Sequence, residues 1–442
     1  MLDIPILSRL NWHDYQGLII TLVFVLVESI LRLVFAVLPV SLLRRWVFNP
    51  ILHRLSKPKS GIVADTEPFA SARRFSNLAA IWGYPVEEHL VETKDGFVLA
   101  AHRIPHGRTE SARSDEPKPV VLLWHGFMMN SEVFACSPDR EKNLAFVLAD
   151  CGFDVWLGNS RGNKYSYKHR VHKPFMGAFW DFSLDELAAY DLPNTVDYIL
   201  HETGQPNLAY IGFSQGTAQA FASLSTNRDL NNKISLFVAL APATKPPGLE
   251  NRLVNALAKS SPHFVYLLFG RRRGLSIALF WRDLLPRRLY TATLDYCVRF
   301  LFGWSCSNMS DRQKIACYAH LYSYSSVKTI AHWFQIIGAR RFQSYDDLPP
   351  VRLAEKSDGD AAGHVAFTYP TKRIRTPIAL FYGGCDSLSN IHELLKDLPP
   401  PLEACEIAHY EHLDFLWADD AHKLVYPQVV KVLDRHTAVP RK

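Results

Sequence analysis

Hydrophobic and polar positions change rhythm repeatedly along the chain. Residues 119–124, 153–157, 208–211, 234–240 and 377–384 are short, largely apolar runs, as expected of strands buried on both faces of a parallel sheet. Between them lie stretches whose apolar residues recur three and four apart. These predict helices over 143–150, 184–200 and 217–224; in the second, Leu187, Tyr190, Val196, Ile199 and Leu200 share a face. Such β/α alternation predicts an α/β fold with a mainly parallel, doubly wound sheet. Residues 84–93 and 97–104 flank Lys94-Asp95-Gly96 and read as a hairpin. Residues 402–408 give a weaker strand, and 422–433 a closing helix whose start is blurred by Pro427.

Two stretches break this rhythm. Residues 18–43 are apolar apart from Thr21, Ser29, Ser41 and the pair Glu28 and Arg32, whose i,i+4 spacing lets them neutralise each other on a helix. At about 1.5 Å per residue such a helix can cross a hydrocarbon core of ~30 Å. Pro39 leaves a re-entrant or monolayer-inserted segment as an alternative, and a buried amphipathic helix is another. Arg44, Arg45, Arg54, Lys57 and Lys59 follow, which by the positive-inside rule keeps the body of the protein in the cytosol. The second break is 244–375, aromatic and apolar without β/α alternation, which reads as a mostly helical cap over the sheet. The expected organisation is thus an N-terminal membrane anchor over 1–50 and a polar linker over 51–80. A core follows in two parts, 81–243 and 376–442, separated by the cap.

Composition narrows the function classes. A net charge of +6 over 442 residues, with basic residues scattered, gives no footprint for nucleic acid. Arg271-Arg272-Arg273 and Arg287-Arg288 flank the most apolar part of the cap. They read either as a solvated face or as contacts to anionic headgroups. Seven cysteines without a CxxC pair suit a reducing compartment better than a disulfide framework or zinc site.

The chemistry centres on Gly212-Phe213-Ser214-Gln215-Gly216, set between a predicted strand and a predicted helix. Gly-x-Ser-x-Gly in that setting is the nucleophile-elbow pattern: a serine on a strained turn, flanked by positions with no room for side chains. An ordinary glycine-rich turn has the same appearance, so the partners decide. A serine hydroxyl needs a base, and the base needs a group that holds its tautomer. Asp386 follows the strand near 378–384, and His412 follows the weaker strand, in the order Ser, acid, His. His409 is the competing base and Asp414 a poorer rival acid. Oxyanion donors are expected at the N–H of Gln215 and of Phe127, the latter in the loop His125-Gly126-Phe127.

Several of these segments together resemble the acid lipase family of α/β-hydrolases, which includes lysosomal acid lipase, gastric lipase and fungal membrane-anchored steryl ester hydrolases. The resemblance runs through Gly83-Tyr84-Pro85-Val86-Glu87-Glu88, Trp124-His125-Gly126-Phe127, Phe182-Ser183-Leu184-Asp185-Glu186-Leu187 and His412-Leu413-Asp414-Phe415. Its most specific run is Asp154-Val155-Trp156-Leu157-Gly158-Asn159-Ser160-Arg161-Gly162-Asn163. Phe213 departs from the histidine usual before the nucleophile, and Cys385 from the polar residue common before the acid. The resemblance implies an α/β-hydrolase fold, ester hydrolysis by Ser214, His412 and Asp386, and no metal or organic cofactor. The anchor points toward the fungal steryl ester hydrolases, with a steryl ester as substrate. Residence would be at the lipid droplet or endoplasmic reticulum membrane, or the plasma membrane. Alternatives are a triacylglycerol lipase and a catalytically silent lipid-binding scaffold.

Overall fold

The hairpin forms at Lys94-Asp95-Gly96, pairing β1 (Glu87–Glu92) antiparallel with β2 (Phe97–Ile104), Val91 opposite Leu99. Its turn calls for a positive φ, which Gly96 supplies at 95°. The computed structural model describes residues 60–109, 117–251, 255, 262–274, 276–347 and 366–436. The strands that follow are β3 (Val120–Trp124), β4 (Asp154–Gly158), the two-residue β5 (Lys168–His169), β6 (Leu208–Phe213), β7 (Ile234–Leu240), β8 (Ile378–Gly383) and β9 (Glu403–Ile407). They form one sheet in the order β1-β2-β4-β3-β6-β7-β8-β9, with β5 beside β2. From β4 to β9 every neighbouring pair is parallel; β1, β2 and β5 supply the antiparallel edge.

The continuous apolar runs are explained by burial on both faces. Every residue of β3, β4 and β6 is buried. Successive side chains enter opposite cores: Val121, Leu123, Ala209, Ile211 and Phe213 on one side, Val120, Leu122, Trp124, Leu208 and Tyr210 on the other.

Residues 60–80, the described part of the linker expected over 51–80, differ from that expectation. They hold α1 (Ser60–Ala70) and most of α2 (Phe75–Trp82), and Phe75, Leu78 and Ala79 are fully buried. In a two-turn helix three inward positions suffice to dock it, while exposed Ser76 and Asn77 lower the average that suggested a linker. The core therefore begins some twenty residues earlier than its sequence suggests. The apolar segment at 18–43 lies outside the described residues; among those described, no helix is long and apolar enough to cross a membrane.

Helix α3 (Leu144–Asp150) precedes β4. The helical run expected over 184–200 extends from 184 to 203 but is not uniform. A short turn (Leu184–Glu186), closed by a Ser183–Glu186 capping box, passes into a π turn (Leu187–Asp191) and then into α4 (Leu192–Thr203). Pro193 has no N–H to give to the preceding turn, and the widened turn accommodates that loss. Asp191, the last residue of that turn, is buried against Arg161. After β6 comes α5 (Gln215–Thr226).

Between β7 and β8 the described residues hold α6 (Pro262–Phe269), α7 (Ser276–Leu284), α8 (Arg287–Phe302), α9 (Asp311–Cys317) and α10 (Val327–Ala339), with two isolated bridges and no strand. Several arginines of this region have protein partners. Arg271 lies over the Tyr266 ring at 5.0 Å, Arg273 over Tyr324 at 5.3 Å, and Arg287 pairs with Glu67 of α1 at 3.5 Å. After β8 comes α11 (Ile391–Asp397). The closing helix is split: a single turn (Ala421–Leu424) precedes α12 (Tyr426–His436), with Pro427 in the first turn, where no N–H is needed.

One buried polar cluster joins the N-terminal helices, core and cap. The Glu132 carboxylate accepts from His320 Nδ1 at 2.9 Å, from Lys164 Nζ at 2.6 Å and from the Tyr165 hydroxyl. The other His320 nitrogen donates to the Phe69 carbonyl of α1 at 2.9 Å. Burial alone would raise the Glu132 carboxyl, but His320 and Lys164 outweigh it and hold it down to about 2 against an ordinary 4.5. A carboxyl depressed by folding stabilises the fold above its unfolded value and loses that contribution as pH falls toward its folded one. Glu132 should therefore contribute about 3 kcal/mol at neutral pH, lost between pH 4.5 and about 2. Urea unfolding across that range should show Glu132→Gln destabilised at pH 7 and less acid-sensitive than wild type. Parallel pH profiles for the two proteins would refute this role.

Candidate active site

Ser214 sits at the carboxyl end of β6, where the chain turns into α5 with φ 53° and ψ −116°. This is a strained backbone for a residue with a side chain, and neighbours must enforce it. The two glycines make it possible. A Cβ on Gly212 would lie 2.8 Å from the Gly216 backbone, and one on Gly216 would lie 2.5 Å from the Trp124 carbonyl of β3. The elbow is thus pressed flat against the adjacent strand, with the Ser214 side chain at its crest and partly exposed.

β8 and β9 deliver the other two residues to the same edge. His412 Nδ1 lies 2.7 Å from Asp386 Oδ2, and His412 Nε2 lies 2.7 Å from Ser214 Oγ. Because the carboxylate accepts from Nδ1, Nε2 is the ring acceptor and takes the serine O–H. Asp386 is held in turn by the Leu388 N–H, 2.9 Å from its other oxygen. Asp386 and His412 are both buried, so the pair is screened from water. The rival residues lie elsewhere. His409 is half-exposed and 3.7 Å from Asp420. Asp414 accepts from Asn308 Nδ2 at 2.7 Å and from the Glu411 N–H at 2.6 Å. Its burial, only partly offset by Asn308, pushes its carboxyl up to about 6.

Phe127 and Gln215 occupy the loop after β3 and the first position of α5. Among the described residues neither backbone N–H has a protein acceptor, so both remain available. The loop is braced by buried His125, whose Nδ1 donates to the Gly126 carbonyl at 2.8 Å while Nε2 accepts from the Ser160 N–H at 3.1 Å. Burial holds this histidine down to about 4, so it stays neutral and keeps that tautomer.

Two contacts from the cap had no signal in the sequence. Trp333 of α10 donates from Nε1 to Gln215 Oε1 at 2.7 Å. Trp304, just past α8, stacks on the His412 imidazole. Aromatic residues are plentiful in the cap, and nothing in their spacing separates these two from the rest.

A family model described as the α/β hydrolase fold matches residues 119–419, and one described as a partial α/β-hydrolase lipase region matches 75–138. A probable lipase of Schizosaccharomyces pombe is 42% identical over 435 residues, covering 97% of this chain and 96% of its own. Human gastric triacylglycerol lipase is 34% identical over 365 residues, covering 81% of this chain and 90% of its own. The chain belongs to the acid lipase family of α/β-hydrolases. As such it is a carboxylic ester hydrolase.

In this acid lipase the run Asp154 to Asn163 serves architecture. Arg161 is buried and donates to Asp191 at 2.7 Å and to Asp95 at 2.6 Å, tying β4's end to the π turn and to the hairpin. Asn159 accepts from the Ser131 N–H at 3.0 Å and donates to the Ala100 carbonyl at 3.0 Å. Gly158 is required because a Cβ there would lie 2.4 Å from the Trp124 ring. Phe213, in place of the usual histidine, is buried, with its ring centroid 5.2 Å from that of His412 and the planes tilted by 49°.

Gly216→Ala should be among the most damaging single-methyl additions in the protein, because the colliding atoms are strand backbone. We expect a loss of about 1–3 kcal/mol in urea unfolding, with reduced ester turnover. Unchanged stability and turnover would mean that the elbow can lift off β3.

Proposed function

We propose that this chain is a membrane-anchored serine lipase that hydrolyses long-chain carboxylic esters, with steryl esters as the preferred class. The observation that carries the reading is the unbroken relay from Asp386 through His412 to Ser214, 2.7 Å at each step. Ser214 Oγ attacks the ester carbonyl while its proton passes to His412 Nε2. Asp386 fixes the imidazole and stabilises its positive charge. The N–H groups of Phe127 and Gln215 receive the oxyanion. The imidazolium then protonates the departing alcohol, and water, activated by the same histidine, cleaves the acyl-enzyme.

Steryl ester preference and anchoring rest on the N-terminal segment and on the resemblance to the fungal steryl ester hydrolases. The S. pombe relative is matched over 97% of this chain, too much to leave out residues 18–43. A body facing the cytosol at a lipid droplet or endoplasmic reticulum membrane, or the plasma membrane, agrees with seven free cysteines. Triacylglycerol is the second reading, favoured by the names of the human and bovine gastric relatives, 34% and 36% identical.

The deciding comparison is wild type against Ser214→Ala, purified in detergent, on cholesteryl oleate and triolein. We expect fatty acid release from the steryl ester, reduced at least roughly a thousandfold by the substitution. Cleavage of triolein alone would keep the mechanism and move the substrate to the second reading. Cleavage of neither, with no labelling of Ser214 by a fluorophosphonate, would favour a silent scaffold. Removing residues 1–50 should lower turnover on lipid emulsions but not on a soluble short-chain ester; equal turnover on emulsions would count against the anchor.

A further inference from the structure

The cap reaches the base of the relay directly. The Trp304 indole and the His412 imidazole have centroids 5.3 Å apart and planes 13° from parallel. Trp304 is itself buried, and its Nε1–H donates to Ser387 Oγ at 3.0 Å; that hydroxyl donates to the Phe302 carbonyl at 2.8 Å. Ser387 directly follows Asp386, so the ring lying on the base is anchored beside the acid. Phe302 stacks on the indole, centroids 4.3 Å apart.

The next residues clamp the loop that carries His412. The Glu411 carboxylate accepts from the N–H groups of Ser305 and Cys306, both at 2.7 Å. Cys306 takes a φ of 51° there, a strained conformation that the clamp stabilises. Asn308 Nδ2 donates to the His409 carbonyl at 2.9 Å as well as to Asp414. The stretch 304–308 is thus fixed to the histidine loop on both sides of His412.

We propose that Trp304 is a positioning residue for His412, and that through it the seating of the cap governs whether the base is aligned. The proposal rests on the triad reading given above. The imidazole must aim Nδ1 at Asp386 and Nε2 at Ser214 simultaneously, and rotation about its Cβ–Cγ bond breaks both hydrogen bonds together. An aromatic slab held parallel to the ring blocks that rotation, with Phe213 limiting it elsewhere. When the serine oxygen bonds to the acyl carbon, its proton moves to Nε2, and the resulting cation lies against the electron-rich indole face, an attractive arrangement. The cation then gives that proton to the alcohol; Trp304 itself gains and loses nothing.

The test uses the full-length protein in detergent and a soluble substrate, p-nitrophenyl butyrate, with active sites titrated by a fluorophosphonate. Trp304→Leu should lower kcat per titrated site roughly ten- to hundredfold, slow labelling in parallel and leave KM nearly unchanged. Trp304→Phe keeps an aromatic slab and should recover most of the loss. Ser387→Ala, which frees the indole, should fall between, and it carries the test if the leucine variant does not fold. Wild-type kcat per site in Trp304→Leu, or in Ser387→Ala where only that variant folds, would overturn the proposal, as would a loss confined to KM. Full activity in Ser214→Ala would instead overturn the triad reading, and this proposal with it.

Discussion

The candidate active site depends on how closely the elbow lies against β3. Gly216 has no room for a Cβ over the Trp124 carbonyl, so the turn after β6 and the loop after β3 are effectively one rigid body. That contact sets where Ser214 points and where the amides of Phe127 and Gln215 lie relative to it. β8 and β9 then need only end at the same edge, as parallel strands in adjacent register do, to bring Asp386 and His412 within reach. Preorganisation of this kind avoids the reorganisation cost that a flexible site would incur in each turnover.

Much of this was legible in the amino-acid pattern, for identifiable reasons. β3, β6 and β7 are buried on both faces, so their apolar runs are continuous and their bounds nearly self-evident. The elbow is legible because its glycines answer a steric demand that no other residue meets. Asp386 and His412 could be placed from chain order and strand ends, and the structure brings both to Ser214. What stayed hidden was tertiary. The docking of α2 depends on three inward residues among polar ones, and the π turn ends in Asp191 paired with an arginine thirty residues away in the chain. The roles of Trp304 and Trp333 depend on where long cap segments fall back onto the core, which no local pattern encodes.

The most specific run of the sequence, from Asp154 to Asn163, turned out to surround the chemistry rather than perform it. Its side chains satisfy buried backbone and charge: Arg161 between two carboxylates, Asn159 bridging two elements, Asp154 paired with Arg103 at 2.9 Å. Removing one member of such a buried set strands the charge of another, which is costlier than losing a surface contact. The residue types here answer the demands of a dry polar network rather than those of the ester.

The docking of α1 and α2 has a mechanical consequence. If the apolar segment at 18–43 is held in a membrane as proposed, sixteen residues separate it from the start of α1 at Ser60. Sixteen residues span at most about 55 Å. So held, the enzyme would patrol a thin layer above its bilayer and would meet substrate by lateral diffusion, in two dimensions rather than three. Its throughput would then follow the surface density of ester in that membrane, not the amount in the cell.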